Sequence, residues 1–125
     1  MNQKLSIHNT LKEINDYFSP RIIGEVNDVY IKLAKIKGDE IPWHNHANED
    51  EMFYMVKGSL VIEIENEKKI SLNAEEFFIV KRGIRHRVYA DKEGWLLLIE
   101  NKSTEHTGEV HTSITKPVKD QLGRN

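Results

Sequence analysis

Short stretches of alternating apolar and polar residues follow one another along most of the chain, with turn-forming residues between them. In residues 29–34 and 60–65 the apolar side chains recur at every second position, which is the period of a β-strand. Apolar runs at 51–56, 77–80 and 95–99 complete the pattern. Many short strands separated by turns indicate an antiparallel sandwich or barrel. We therefore predict an all-β fold in which residues 77–80 form a buried strand and residues 91–94 form a turn.

Both ends of the chain differ from this central region. Residues 9–18 have the spacing of a short amphipathic helix, which Asn9 or Thr10 would cap and Pro20 would follow. Its apolar face would consist of Leu11, Ile14, Tyr17 and Phe18. Residues after Asn101 are mostly polar. We predict a single domain over residues 1–125, with an N-terminal helix and arm at 1–24, a barrel at 25–100 and a C-terminal arm at 101–125.

Length and composition restrict the classes of partner. The chain has 125 residues, which suits one domain with one core, and its net charge is −2. This balance gives no electrostatic reason to expect nucleic acid or an anionic membrane as a partner. No apolar run is long enough to span a membrane, and the first residues do not resemble a signal peptide. We predict a cytoplasmic protein whose partner is a small molecule.

Residues 38–58 contain a candidate metal site. His44 and His46 are one residue apart, and Glu51 follows five positions later. On an extended strand the two histidines would point to the same side, and a short loop could bring Glu51 beside them. The chain has no cysteine, so a metal would be held by nitrogen and oxygen, which suits borderline divalent ions. Taken alone, the histidine pair is also compatible with a solvated strand–loop–strand.

Residues 38–58, taken together with residues 72–88, resemble the paired motifs of the cupin superfamily. The first motif, G-x5-H-x-H-x4-E-x6-G, is met at every defined position, by Gly38, His44, His46, Glu51 and Gly58. The second is met at its G-x2-H core by Gly83 and His86. It departs from the usual residues at Glu75, where glycine is common, at Lys81, where proline is common, and at Ala90, where asparagine is common.

This resemblance to small, single-domain bacterial cupins implies a double-stranded β-helix, or jelly roll. It implies one divalent metal ion (iron, manganese, nickel or zinc) held by His44, His46, Glu51 and His86. Four ligands leave coordination positions open, which is typical of catalytic metal sites. Two functions follow. The first is a metal-dependent enzyme of the oxygenase or isomerase type acting on a small organic molecule, with no catalytic residue identified. The second is a non-catalytic module that binds a small ligand or acts as a sensor.

Strand parity extends the site to a substrate pocket. If Glu51 faces inward, so do Phe53 and Met55, and if His86 faces inward, so does Val88. Ile62 lies on the apolar face of its own strand. These four side chains predict an apolar pocket for a small or planar substrate. A basic cluster of Arg82, Arg85 and Arg87 surrounds His86 and is either a solvated turn or a grip for an anionic substrate.

The N-terminal segment also bears on assembly. Residues 7–23 contain more apolar side chains than a small sandwich is expected to cover, and exposed apolar patches usually mark a contact. Dimers are common in the family that the chain resembles. We therefore predict a homodimer, since two-fold pairing is the commonest solution for a self-complementary surface.

Overall fold

The computed structural model describes residues 4–104 and Gln121. Within this part of the chain there are one short helix and seven strands. They are α1 (Ile7–Lys12), β1 (Arg21–Val26), β2 (Val29–Gly38), β3 (Glu51–Lys57), β4 (Ser59–Ile64), β5 (Ile70–Asn73), β6 (Phe77–Val80) and β7 (His86–Asn101). The predicted C-terminal arm falls almost entirely outside the described residues, and the division at residues 24 and 100 stays a prediction.

The seven strands form an antiparallel jelly-roll barrel, which confirms the predicted fold class. One sheet has the order β1-β2-β7-β3-β6, and β4 pairs with β5 on one side and with β7 on the other. Strand β7 therefore belongs to both layers: residues 86–89 pair with β4, while residues 95–100 lie between β2 and β3. The main apolar core lies between the layers, where Met55 and Ile62 are completely buried.

The predicted turn at residues 91–94 is wrong, because these residues belong to β7. The composition Asp-Lys-Glu-Gly is typical of a turn, but Gly94 pairs with Ile36 of β2 and keeps the strand continuous. A side chain at Gly94 would meet the Met55 methyl carbon at 3.0 Å and Ile36 Cγ1 at 3.2 Å. A side chain here would therefore require Met55 and Ile36 to shift by a few tenths of an ångström, and glycine permits close packing as β7 passes from one sheet to the other.

The prediction that residues 77–80 form a buried strand is correct about the strand but wrong about its burial. Phe77 and Ile79 are 59% and 39% exposed, whereas Val80 is buried. Strand β6 pairs with β3 alone and lies at the edge of its sheet. Only one of its faces can therefore reach the core, and an unbroken apolar run does not reveal this.

The N-terminal helix exists but is shorter and earlier than predicted. It begins after Ser6, whose hydroxyl oxygen accepts a hydrogen bond from the Asn9 amide at 3.1 Å, and it ends at Lys12. Residues after the helix continue as an irregular segment, in which Phe18 has a positive φ of 53°. The apolar side chains of this region pack against the barrel of their own chain: Leu11 and Ile14 form a second core with Leu33 and Trp95.

Candidate metal centre

Three backbone segments bring the four predicted ligands together. His44 and His86 form an isolated antiparallel pair, with amide-to-carbonyl distances of 3.0 and 2.8 Å in the two directions. The Gly83 amide donates to the His46 carbonyl at 2.8 Å, and its φ of +79° favours glycine at this turn. Glu51 is the first residue of β3. The two cupin-like motifs therefore meet through backbone hydrogen bonds, which hold His44 and His46 beside His86.

The donor atoms of these four residues form one buried cluster. One ligand atom from each of His44, His46, Glu51 and His86 lies within 4.8 Å of all the others. Glu51 Oε1 is 3.4 Å from His46 Nε2 and 3.6 Å from His86 Nε2. All four side chains are buried. A group of three imidazoles and one carboxylate could hold a divalent metal ion, and its nitrogen and oxygen donors suit iron, manganese, nickel or zinc.

Hydrogen bonds to carbonyl groups orient two of the imidazole rings. His44 Nδ1 lies 2.7 Å from the Pro42 carbonyl oxygen, and His86 Nδ1 lies 2.9 Å from that of Ile84. Because a carbonyl oxygen can only accept, Nδ1 of each ring carries the proton when the ring is neutral. The lone pair is then on Nε2, which is the arrangement found for metal-binding histidines.

Several nitrogen atoms of the cluster have no hydrogen-bond partner within the part of the chain that is described. They are both ring nitrogens of His46 and Nε2 of His86. Buried polar atoms without partners are rare, because each costs about 1–3 kcal/mol. A cation bound between the rings would satisfy the nitrogens that face it. The donor set and its unpaired atoms therefore fit a metal ion.

The ionisation of the cluster also suits a cation. Burial and the nearby His86 lower the pKa of His44 to about 4, so this ring is neutral at physiological pH. Burial lowers the pKa of His46, but the Glu51 carboxylate outweighs this effect and the net shift is upward. Burial also opposes ionisation of Glu51, yet the nearby Glu100, His46 and His86 side chains hold its pKa well below the usual range. The site thus keeps an anionic oxygen beside an imidazole that is neutral.

Two charged side chains that the sequence analysis did not identify lie behind Glu51. Lys32 and Glu100 are 1% and 4% exposed, and Lys32 Nζ is 2.5 Å from Glu100 Oε1. Burial and the Glu51 charge raise the pKa of Glu100 well above its usual range. Strand parity could have identified both, because Lys32 is on the same inward face as Ala34, and Glu100 is on the same inward face as Leu98.

An apolar cavity of about 40 Å³ adjoins the metal cluster. His44 and Glu51 line one side, and Phe18 and Pro20 of the N-terminal segment line another. The remaining lining residues are apolar: Ala34, Ile36, Ile41, Phe53, Val88, Leu96 and Leu98. This volume accommodates about three water molecules. The space beside the ligands is therefore small, and its walls are mostly apolar.

The four predicted pocket residues divide into two pairs. Phe53 and Val88 line the cavity, whereas Met55 and Ile62 are fully buried in the core and do not line it. Parity alone indicates which side chains face inward, but not how far along the barrel the cavity extends. Whether any of the four contacts a substrate stays a prediction.

The basic cluster near His86 lies on the outer side of the barrel and is largely paired. Arg85 Nη1 donates to Glu65 at 2.6 Å, and Arg87 Nε donates to Glu63 at 2.9 Å. Both guanidinium groups also lie within 5.4 Å of the Trp43 ring centroid. Each of these two arginines is thus paired with a carboxylate, and neither lines the cavity beside the metal cluster.

Comparison with known proteins agrees with the geometry. Residues 35–100 match the model of the Cupin domain family, which is more than half of the chain. The chain is also 33% identical over 105 residues to the uncharacterized protein YdbB of Bacillus subtilis, covering 84% of this chain and 89% of YdbB. The chain belongs to the cupin family. All four residues of the metal cluster lie within the part of the chain that matches the family.

Solved structures share this cupin fold. A cupin-2 domain protein from Shewanella frigidimarina aligns with a TM-score of 0.75 and 33% identity, over 78% of this chain and 93% of that one. The hydroquinone 1,2-dioxygenase of Sphingomonas, solved in complex with 4-nitrophenol, aligns with a TM-score of 0.74 at 18% identity. It covers 81% of this cupin and 33% of the dioxygenase chain, and at this identity the likeness is one of fold. Within the described residues, no helix is long and apolar enough to cross a membrane.

Proposed function

We propose that this cupin binds one divalent metal ion through His44, His46, Glu51 and His86 and is a metal-dependent oxygenase of a small organic molecule. The observation that carries the proposal is the pairing of a buried ligand cluster with a cavity whose other walls are apolar. When bound, a redox-active ion such as iron or manganese supplies an electron source for dioxygen and open positions for ligands. The protein supplies the orientation of the donors and the exclusion of water.

The character of the cavity favours an oxygenase over an isomerase. Isomerisation of a sugar or keto acid requires an acid or base that moves a proton, and usually polar groups that hold the hydroxyls. His44 and Glu51 are the polar residues among those lining the cavity, and both are assigned to the metal. An apolar, preferably planar substrate that reaches the metal through one oxygen is compatible with these walls. The dioxygenase whose fold is similar provides a precedent for this chemistry on the same scaffold.

The size of the cavity defines the alternative function. About 40 Å³ is too small for an aromatic substrate, so side chains that line the cavity have to move before such a molecule can enter. If it does not move, only water or a very small molecule reaches the metal, and the protein acts as a non-catalytic ligand-binding or sensor module. Turnover therefore distinguishes the two functions.

The test is metal analysis followed by oxygen uptake. Protein purified without an affinity tag, loaded with iron or manganese, should bind about one ion per chain and consume dioxygen with small phenols or diketones. His46→Ala should abolish both results, whereas the exposed His8→Ala should change neither. A wild-type protein that binds no divalent ion contradicts the metal site. Stoichiometric binding without oxygen uptake across the substrate panel contradicts the oxygenase and supports the binding module.

We also propose that the protein is a cytoplasmic homodimer. The contact of Leu11 and Ile14 with their own barrel removes part of the apolar surface that motivated this prediction. Exposed apolar side chains that are still available for a contact include Leu5, Val26 and Phe77. Within the described residues, the apolar surface available to a dimer interface therefore consists of such smaller patches.

A further inference from the structure

A buried pair of charged residue types, Lys32 and Glu100, lies beside Glu51 of the metal cluster and outside the cavity lining. Lys32 and Glu100 are almost completely buried, and neither lines the cavity in which a substrate would bind. Lys32 Nζ is 2.5 Å from Glu100 Oε1 and also donates to the side-chain carbonyl of Gln121. The pair therefore does not touch the reacting molecule, and any effect it has on the site must pass through another residue.

That residue is Glu51. The register of β3 and β7 places Glu51 directly opposite Glu100, so the two carboxyl groups are neighbours, and their interaction lowers the pKa of Glu51 and raises that of Glu100. The register of β2 and β7 places Lys32 opposite Leu98, one inward position along the barrel from Glu100. Three strands thus contribute one continuous chain of contacts, from Lys32 to Glu100 to the carboxylate ligand Glu51.

Stability alone does not account for such a pair. Burial of a charged lysine beside a carboxyl group costs several kcal/mol, and replacement of such a buried pair by apolar residues of similar size is often neutral or stabilising. The neighbouring core positions, Leu98 and Phe53, show that apolar side chains fit this part of the barrel. By contrast, groups that hydrogen-bond to a metal ligand from behind commonly change metal affinity by about 10–100-fold.

We propose that Glu100 and Lys32 are positioning residues that hold the Glu51 carboxylate in place for the metal ion. The inference rests on the proposed metal centre and assigns it a support from outside the four ligands. Glu100 contacts Glu51 directly, and Lys32 fixes Glu100 from the opposite side. Lys32 lies outside residues 35–100, the part of the chain that matches the Cupin domain family, so this support is contributed partly by the N-terminal third of the chain.

The decisive variant is the double substitution Lys32→Met with Glu100→Leu, which replaces the ion pair by apolar side chains of similar length. The metal-free double variant should unfold at the wild-type temperature or above it, because Lys32 and Glu100 are removed together and Glu51 keeps His46 and His86 beside it. Its affinity for Co²⁺, measured by competition with a chelator, should nevertheless fall by about 10–100-fold. The visible absorption bands of bound Co²⁺ should also shift, because Glu51 is no longer held.

The conservative variant Glu100→Gln tests whether a hydrogen-bonding side chain at position 100 is sufficient to hold Glu51. A glutamine can donate its amide N–H to Glu51 and accept from Lys32 with its carbonyl oxygen. It should therefore keep Co²⁺ affinity within about tenfold of wild type and retain the absorption bands. The matched control is Glu67→Leu at an exposed position of the β4–β5 turn, which should leave affinity and spectrum unchanged.

The outcomes separate this inference from the metal centre itself. Wild-type Co²⁺ affinity in the double variant overturns the positioning role, as does a Glu100→Gln variant that binds as weakly as the double variant. A double variant whose metal-free form loses stability in step with its affinity also overturns it, because the pair would then support the fold. If the wild-type protein binds no Co²⁺, the proposed metal centre is refuted first.

Discussion

The substitution His46→Ala should affect stability only when a metal ion is present. In the metal-free protein the His46 ring is buried, and neither of its nitrogens has a hydrogen-bond partner among the described residues. Removing a large buried side chain costs about 2–5 kcal/mol. Removing the unpaired Nδ1 recovers about 1–3 kcal/mol, whereas Nε2 lies 3.4 Å from Glu51 Oε1 and its loss brings no such gain. The two effects partly cancel, so the metal-free variant should unfold within a few degrees of wild type.

Metal binding should separate the two proteins. A ligand present at 100 times its Kd stabilises the native state by about 2.7 kcal/mol, which corresponds to roughly 10 °C for a domain of this length. If the loss of one ligand raises the Kd a hundredfold, the same metal concentration stabilises the native state by only about 0.4 kcal/mol, which corresponds to roughly 2 °C.

Thermal denaturation with and without Zn²⁺, referenced to protein treated with a chelator, measures both quantities. His8→Ala is the matched control, because His8 is exposed and contacts only the Trp95 ring among the described aromatic groups. A His46→Ala variant that keeps the full Zn²⁺-induced shift would show that His46 is not a ligand. A metal-free variant destabilised by the whole cost of a lost core side chain would refute the reasoning about its unpaired Nδ1.

Three further measurements test other features. Metal affinity should fall as pH decreases towards the ordinary histidine pKa of about 6.5, because the raised pKa of His46 makes protons compete there first, whereas His44, with a pKa of about 4, stays neutral. A flat profile between pH 5 and 8 in a competition titration would contradict this. Glu75→Gly should raise the free energy of unfolding, measured by urea denaturation, by about 1 kcal/mol, because Glu75 has a φ of 70°. A decrease would show that the Glu75 side chain is needed. Light scattering should give twice 14.6 kDa for the proposed homodimer, and a monomer mass would refute it.

The candidate ligands were identifiable from sequence because their geometry is local. His44, His46 and Glu51 lie within eight residues, so their spacing alone constrains them to one end of the barrel. His86 required the second motif, since only its backbone pairing with His44 brings it to the cluster. The unusual Glu75 was also visible, and its positive φ explains why glycine is common at that point of the motif.

Features that depend on which strands are neighbours could not be predicted in this way. The exposure of Phe77 follows from the edge position of β6, which an apolar run does not encode. Lys32 and Glu100 have the composition of a solvated face. Strand parity places them on the faces of Ala34 and Leu98, but that they pair with each other follows only from the register of β2 and β7. The continuity of β7 through Gly94 depends on side chains of β2 and β3, which are distant in sequence.

Because β7 carries His86 near its beginning and Glu100 near its end, the position of new chain termini in a circularly permuted protein matters. Termini opened at residues 66–69, in the exposed β4–β5 turn, leave every pairing of β7 intact. Termini opened at residues 91–94 separate the half of β7 that pairs with β4 from the half that pairs with β2 and β3. The two halves of β7 would then be separate segments, and the position of His86 relative to Glu51 would depend on the backbone pairs of His86 with His44 and of Ala90 with Gly38.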